Sequence, residues 1–269
     1  MARSVISGAR SAISGARSVI SGARSALAAT HPRFPVVDNL VDEWAADTKQ
    51  TADGVSIQSW TGRKGNAFIQ QTAASQFKMD VDGMNGYPAL VAQVDDFMTC
   101  DGLAAQFSGS DIPITVIMAV SRITDLGGTE TFFSMGRNAA TGFMSLRVAG
   151  SNDNFQARRG DDGGTNSFVN LFVSPSTFPV LTPVIFAMNF KGTTVDGWRN
   201  GTKVRSGLAL DFGAATFTQF TLGCLRTNTN TNFAEMALGA VAVLSSASDE
   251  VISLFMNYYS AKYGITLSG

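Results

Sequence analysis

Histidine is all but missing from this chain: His31 is the only one in 269 residues. Cysteine is confined to Cys100 and Cys224, neither with a second cysteine close by. A structural zinc site draws four ligands from closely spaced Cys and His, so the sequence has too few to build one. A Ser-His-Asp triad would have to use His31, which stands between an N-terminal repeat and Pro32, outside any expected folded body. The two thiols either pair, should the fold bring their Cα atoms together, or remain as two buried thiols in apolar runs. Charged residues make up only 15%, which argues against long solvated helices. No uninterrupted apolar run nears the roughly 18 residues of a membrane span.

What is present points to strands. Hydrophobic residues reach 45%, enough for a proper core and against disorder throughout, and the 27 Gly and 19 Phe suit many short strands and turns. Charge is unevenly placed. Residues 1–37 carry Arg3, Arg10, Arg17, Arg24 and Arg33 with no acid, so this segment is +5, and taking it from the overall -1 leaves -6 for the remainder. A basic arm before an acidic body fits nucleic acid, an acidic membrane surface or an acidic protein socket. Five arginines over this length are too sparse for nucleic acid, which is not expected as a partner.

The arm is a repeat: ARSVISG (2–8), ARSAISG (9–15), ARSVISG (16–22) and ARSALAA (23–29). Its basic start and ALAA ending mimic a secretory signal, but Ser, Gly or Arg interrupts it every two or three residues, so it is read as part of the mature protein. Seven is odd, and a strand would swap faces at each repeat. A helix turning about 100° per residue keeps them nearly aligned. The resulting apolar stripe is Ala2, Val5, Ile6, Ala9, Ala12, Ile13, Ala16, Val19, Ile20, Ala23, Ala26 and Leu27. Gly8, Gly15 and Gly22 each cost about 1 kcal/mol against Ala, so such a helix needs a partner. Strict heptads imply self-association, with a trimer expected, or docking into a larger assembly; the repeat lacks acids for its own interhelical ion pairs. The alternative is a flexible low-complexity arm. His31-Pro32-Arg33-Phe34-Pro35 ends it, because residues before proline avoid the α region. The expected organisation is therefore an arm at 1–30, a connector at 31–37 and one domain at 38–269.

In the body, ITVIMAV (Ile114–Val120), TFFSM (Thr131–Met135), GFMSLRVAG (Gly142–Gly150), PVIFAMNF (Pro183–Phe190) and MALGAVAVL (Met236–Leu244) read as strands bounded by turn residues. Asp162-Gly163-Gly164 and Asn200-Gly201 read as hairpin turns, which favours antiparallel pairing and a two-sheet sandwich. SASDEVISLFMNYYSAKYGI reads as one terminal helix, with Ser246 as cap, Val251, Ile252, Phe255, Tyr259 and Tyr263 on the apolar face, and Gly264 as stop.

The order of Trp44 and Trp60, NGYPAL (Asn85–Leu90), VDDFM (Val94–Met98), PITVIMAV, WRNGTKV (Trp198–Val204), FAEMALGAVAVL and the YYSAKYGI helix resembles the concanavalin A-like lectin/glucanase superfamily. It is most similar to laminin-G-like jelly rolls of tailed-phage virion proteins and secreted bacterial proteins, over about residues 38–268. The resemblance implies an all-β, two-sheet antiparallel jelly-roll sandwich with a C-terminal helix and a role in adhesion, glycan binding or virion structure.

The glucanases of that superfamily carry alternating acids, and a retaining mechanism needs two carboxylates about 5 Å apart. This chain has only Glu43, Glu130, Glu235 and Glu250, none in such a motif; Asp80 and Asp82 alternate without a glutamate. A non-enzymatic protein is expected. Lectins of this fold often hold calcium. Asp95 with Asp96, Asp153, and Asp161 with Asp162 are the candidates, although no spacing fixes a site and no cofactor is assigned. For sugar stacking the candidates are Trp198, Asn200 and Tyr87, with Trp198 expected to be exposed and Trp60 to lie in the core. GSNDNFQARRGDDGGTN (Gly150–Asn166), which contains Arg159-Gly160-Asp161, and TNTNTN (Thr227–Asn232) read as loops. The expectation is a phage fibre or decoration protein, held by its arm to other virion proteins and facing a host surface glycan. The alternatives are a secreted carbohydrate-binding module and a divergent glycan hydrolase.

Overall fold

The computed structural model describes residues 33–268 apart from 138, 151–152, 173–177, 211–212 and 228. The heptad stripe from Val5 to Leu27 lies outside the described residues. Contacts divide the chain into Met1–Phe34 and Pro35–Gly269, and the second unit is the folded body.

Its described strands are β1 (Leu40–Ala45), β2 (Ser59–Thr61), β3 (Ala67–Ile69), β4 (Lys78–Met84), β5 (Tyr87–Ala92), β6 (Met98–Asp101), β7 (Ile114–Arg122), β8 (Glu130–Gly136), β9 (Phe143–Ala149), β10 (Asn154–Gly160), β11 (Asn166–Phe172), β12 (Val184–Phe190), β13 (Thr194–Arg199), β14 (Thr202–Ala209), β15 (Gln219–Leu222), β16 (Leu225–Arg226), β17 (Asn230–Thr231) and β18 (Met236–Leu244), followed by helix α1 (Asp249–Tyr263). Sheet one runs β14-β13-β12-β7-β18-β5-β4, with β1 also paired to β18; sheet two runs β11-β10-β9-β8-β15-β6-β3-β2; β16 and β17 form a separate hairpin. Ladders between these strands are antiparallel. The five strand segments expected from sequence are β7, β8, β9, β12 and β18.

The two sheets differ in pattern for a physical reason. Every residue of β7, β12 and β18 is buried, because sheet one has the core on one face and α1 against β7 and β12 on the other. Strands covered on both faces read as continuous apolar runs. Sheet two alternates instead: on β9, Met144, Leu146 and Val148 enter the core while Ser145 and Arg147 point outward. The sheets meet through aromatics, with Phe155 of β10 against Phe186 of β12 at a ring separation of 4.5 Å. Burying each such ring is worth about 2–3 kcal/mol.

Two hairpins use Asn-Gly turns with both residues in the left-handed region, Asn85 (φ 51) with Gly86 (φ 79) and Asn200 (φ 45) with Gly201 (φ 89). This is the type I′ geometry that matches strand twist. The α1 cap is Ser248, whose Oγ accepts from Val251 N at 3.4 Å, rather than the expected Ser246. Ser246 is instead spent on the chain entry, where its carbonyl accepts from Asn39 Nδ2. Gly264 (φ 61) stops the helix as expected. Among the described residues no helix is long and apolar enough to cross a membrane.

Candidate functional site

The sugar-stacking candidates from sequence do not assemble into a site. Trp198 is 2% exposed, so the expectation that it is open to a ligand is corrected. Lys203 Nζ lies 4.7 Å from its ring centre, and Lys203 is itself held by Asp196 and by Asp249 of α1. Asn200 Oδ1 accepts from Ile185 N at 2.8 Å, closing the hairpin onto β12. Tyr87 stands edge-on to Tyr263 of α1 at 6.4 Å. All three belong to the helix-covered side of sheet one. Trp60 is a core residue, as expected.

Four of the five candidate calcium carboxylates have protein partners. Asp96 accepts from Gln93 N, Asp153 from Arg122, Asp161 from Thr165 N and Asp162 from Thr216 and Arg137. Among the described residues no three His, Cys, Asp or Glu side chains converge. Both cysteines are buried and free, and burial pushes the thiols up to about 11 for Cys100 and about 12 for Cys224. The segment 150–166, expected as a loop, holds strand β10 at its centre, with inward residues Phe155, Ala157 and Arg159. Arg159 is 1% exposed and lies over Phe190 at 4.7 Å, so the Arg-Gly-Asp string is not displayed.

The outer face of sheet two is exposed at its two ends, at Ile69 and Phe168, and buried in its middle. Register lines up one row across seven strands: Ile69, Thr99, Thr221, Ser134, Ser145, Arg158 and Phe168. The row is short and polar in the middle and larger at its ends. Its middle is roofed by the segment 223–235. Ser134 Oγ donates to Cys224 O at 2.9 Å and accepts from Arg226 N at 3.2 Å, and Thr131 N reaches Asn232 O at 2.8 Å. Gly136 leaves the Arg226 carbonyl the room that a Cβ would take.

On one flank of this roof a cleft of about 460 Å³ opens, lined by Asn66, Ile69, Gln71, Phe97, Thr99 and Asp101 among others. Phe97 is backed by Phe233 at 6.4 Å, and Gln71 Oε1 is fixed by Gln58 Nε2 at 2.9 Å. Asp101 is exposed. With its amide turned to satisfy both neighbours, Gln219 donates to Asp101 Oδ1 at 3.1 Å and accepts from Arg226 Nε at 2.7 Å. Arg226 Nη1 donates in turn to Asn230 Oδ1 at 3.0 Å, so Asn230 supports the roof. Chemically, the cleft offers an aromatic edge, amides, a hydroxyl and a carboxylate.

On the other flank stand Arg147 and Arg158. Arg147 Nε and Nη2 donate to Gln156 Oε1 at 3.1 and 2.9 Å, and Arg158 Nη2 donates to Asn166 Oδ1 at 2.9 Å. Burial, and then the nearby Arg158 charge, pushes Arg147 down to about 10. Burial also lowers Arg158. Sequence reading missed both flanks. The signal was there in the period-two alternation of GFMSLRVAG and NFQARRG, which contrasts with the unbroken apolar runs of β7, β12 and β18.

The two-sheet antiparallel sandwich recurs among solved structures, while no known protein family and no curated protein matches the sequence. Domain 4 of AbnA, an extracellular arabinanase of Geobacillus stearothermophilus solved with arabinotriose, is similar with TM-score 0.57 and 16% identity over 80% of this chain and 97% of that domain. Trypanosoma rangeli sialidase is similar with TM-score 0.55 and 12% identity over 83% of this chain. The binding domain of botulinum neurotoxin serotype G has TM-score 0.54 and 8% identity over 82% of this chain. The chain spans 34% of the sialidase and 51% of the neurotoxin domain. These neighbours overturn the expectation of a non-enzymatic protein: two of the three come from enzymes, and the fold does not set catalysis aside.

Proposed function

We propose that the body is a glycan-recognition module and that a saccharide binds the outer face of sheet two, in the cleft beside Asp101. The observation that carries this reading is the cleft itself, where Phe97 stands next to Gln71, Thr99 and Asp101. A sugar lays its C–H face on an aromatic ring and gives its hydroxyls to amides and carboxylates, the few placed polar groups that orient a ligand in a largely preformed pocket. The likeness to an arabinanase domain solved with arabinotriose supports it.

The finer reading is display. In it the N-terminal repeat is an arm that trimerises or docks into an acidic socket of a larger assembly. The sequence resemblance favours a tailed-phage virion as that assembly, with the chain as a fibre or decoration protein presenting its sandwich to host glycans. The test is twofold. Calorimetric titration of neutral oligosaccharides, arabinotriose first, should give saturable binding that Phe97→Ala and Asp101→Ala weaken, with the same samples assayed for released sugar. Light-scattering mass on the intact chain beside a chain starting at Phe34 should show an oligomer only when the arm is present. Saccharide binding by a protein that is monomeric in both forms would leave the module and remove the self-associating arm.

A further inference from the structure

Arg147 and Arg158 leave a like-charge pair on the surface of an acidic body. Arg147 faces Gln156 and Arg158 faces Ser145 in the β9–β10 register, which makes the two arginines diagonal neighbours on one face, within reach for long side chains. Each is aligned on an aromatic ring: Arg158 over Phe143 at 4.6 Å and Arg147 over Phe168 at 5.8 Å. Phe168 sits opposite Arg158 on β11 and is 50% exposed. Among the described residues neither guanidinium has a carboxylate partner, whereas Arg63, Arg122 and Arg137 all do. Their hydrogen bonds leave Arg147 Nη1 and Arg158 Nε and Nη1 without protein acceptors among the described residues. Beneath them Ser145 Oγ is buried with no partner. Two stacked, half-desolvated guanidinia with donors to spare and no counter-charge among the described residues are arranged for an anion brought from outside.

We propose that Arg147, Arg158 and Phe168 form an acidic-sugar subsite, in which the two guanidinia take the carboxylate of a sialic or uronic acid residue and Phe168 stacks on its ring. This rests on the glycan-recognition reading and adds the class of glycan. Cys224 and Arg226, bonded to Ser134 on β8, stand between this subsite and the Asp101 cleft.

The test titrates the full chain with two matched pairs, sialyllactose against its methyl ester and tetragalacturonate against its methyl ester, alongside neutral arabinotriose. At least one acid should bind roughly tenfold or more tightly than its ester, the scale of a hydrogen bond to a charged group. Arg147→Gln and Arg158→Gln should each collapse that ratio towards one while leaving the melting temperature and arabinotriose binding unchanged. A sialate preference and a uronate preference identify the source of the carboxylate. Equal affinity for acid and ester in both pairs, or an acid preference that survives both arginine variants, would overturn the subsite while any arabinotriose binding keeps the module. Failure of all five saccharides to bind would instead overturn the glycan reading together with the subsite.

Discussion

Arg122 holds Glu130 in a two-point grip, with Nε at 3.2 and 3.1 Å from the two carboxylate oxygens and both side chains out of water. Asp125 and Asp153 complete a cage around the same guanidinium. Burial works against its charge, but Glu130, Asp153 and Asp125 outweigh burial and hold Arg122 protonated. The group ties the end of β7 to the start of β8. Removing one partner strands a buried charge, so Arg122→Met should cost about 3–5 kcal/mol in urea unfolding, while Arg122→Met with Glu130→Leu should cost less than the single change. A double variant less stable than the single would mean that the cage packs rather than neutralises.

Glu43 of β1 has the opposite balance. It is 1% exposed, Oε1 has no partner, and its other oxygen meets Arg63 Nε at 3.3 Å. Burial raises its carboxyl above the usual range, against the pull of Lys262 and Arg63. A raised folded value means that its stabilising share is full below the unfolded value, near 4.3, and is lost as pH climbs through the folded one. Glu43→Gln should therefore flatten the fall in melting temperature as pH climbs above the unfolded value. Parallel curves for the two proteins would show that Glu43 titrates as it does in the unfolded chain.

Cys100 and Cys224 should be unreactive towards Ellman's reagent at pH 8 in the folded protein, since both thiols are buried and pushed up to about 11 and about 12. Both should react at once in guanidinium, because only the thiolate attacks and unfolding restores the ordinary value. Two equivalents released before unfolding would contradict the burial.

Alternation and turn chemistry carried most of the fold into the sequence. β18 is legible because nine apolar residues between a polar loop and a helix start have nowhere to go but a strand covered on both faces. The Asn200-Gly201 turn is legible because few other pairs adopt two positive φ values. The polar row across sheet two was not, because Thr99, Thr221 and Ser134 come from segments far apart in the chain and become neighbours only through the order β6-β15-β8. Trp198 misled for a related reason. A tryptophan next to a turn looks exposed until Lys203 and α1 are seen to close over it.

The roof offers the sharpest separation between shape and chemistry. Gly136 on β8 is where the β16 backbone crosses closest, and a methyl group there would strike the Arg226 carbonyl, which is backbone and cannot swing aside. Gly136→Ala should lift Arg226, break its bond through Gln219 to Asp101, and cost about 1–3 kcal/mol, as forced overpacking does. Asp101→Ala removes an exposed carboxylate and should leave stability within about 0.5 kcal/mol. If the roof positions the cleft, both variants lose saccharide affinity but only the glycine variant loses stability, read by titration and urea unfolding on the same samples. If Gly136→Ala melts early yet binds as before, the segment 223–235 shelters the polar row without shaping the cleft, and Asp101 must be held by its own strand.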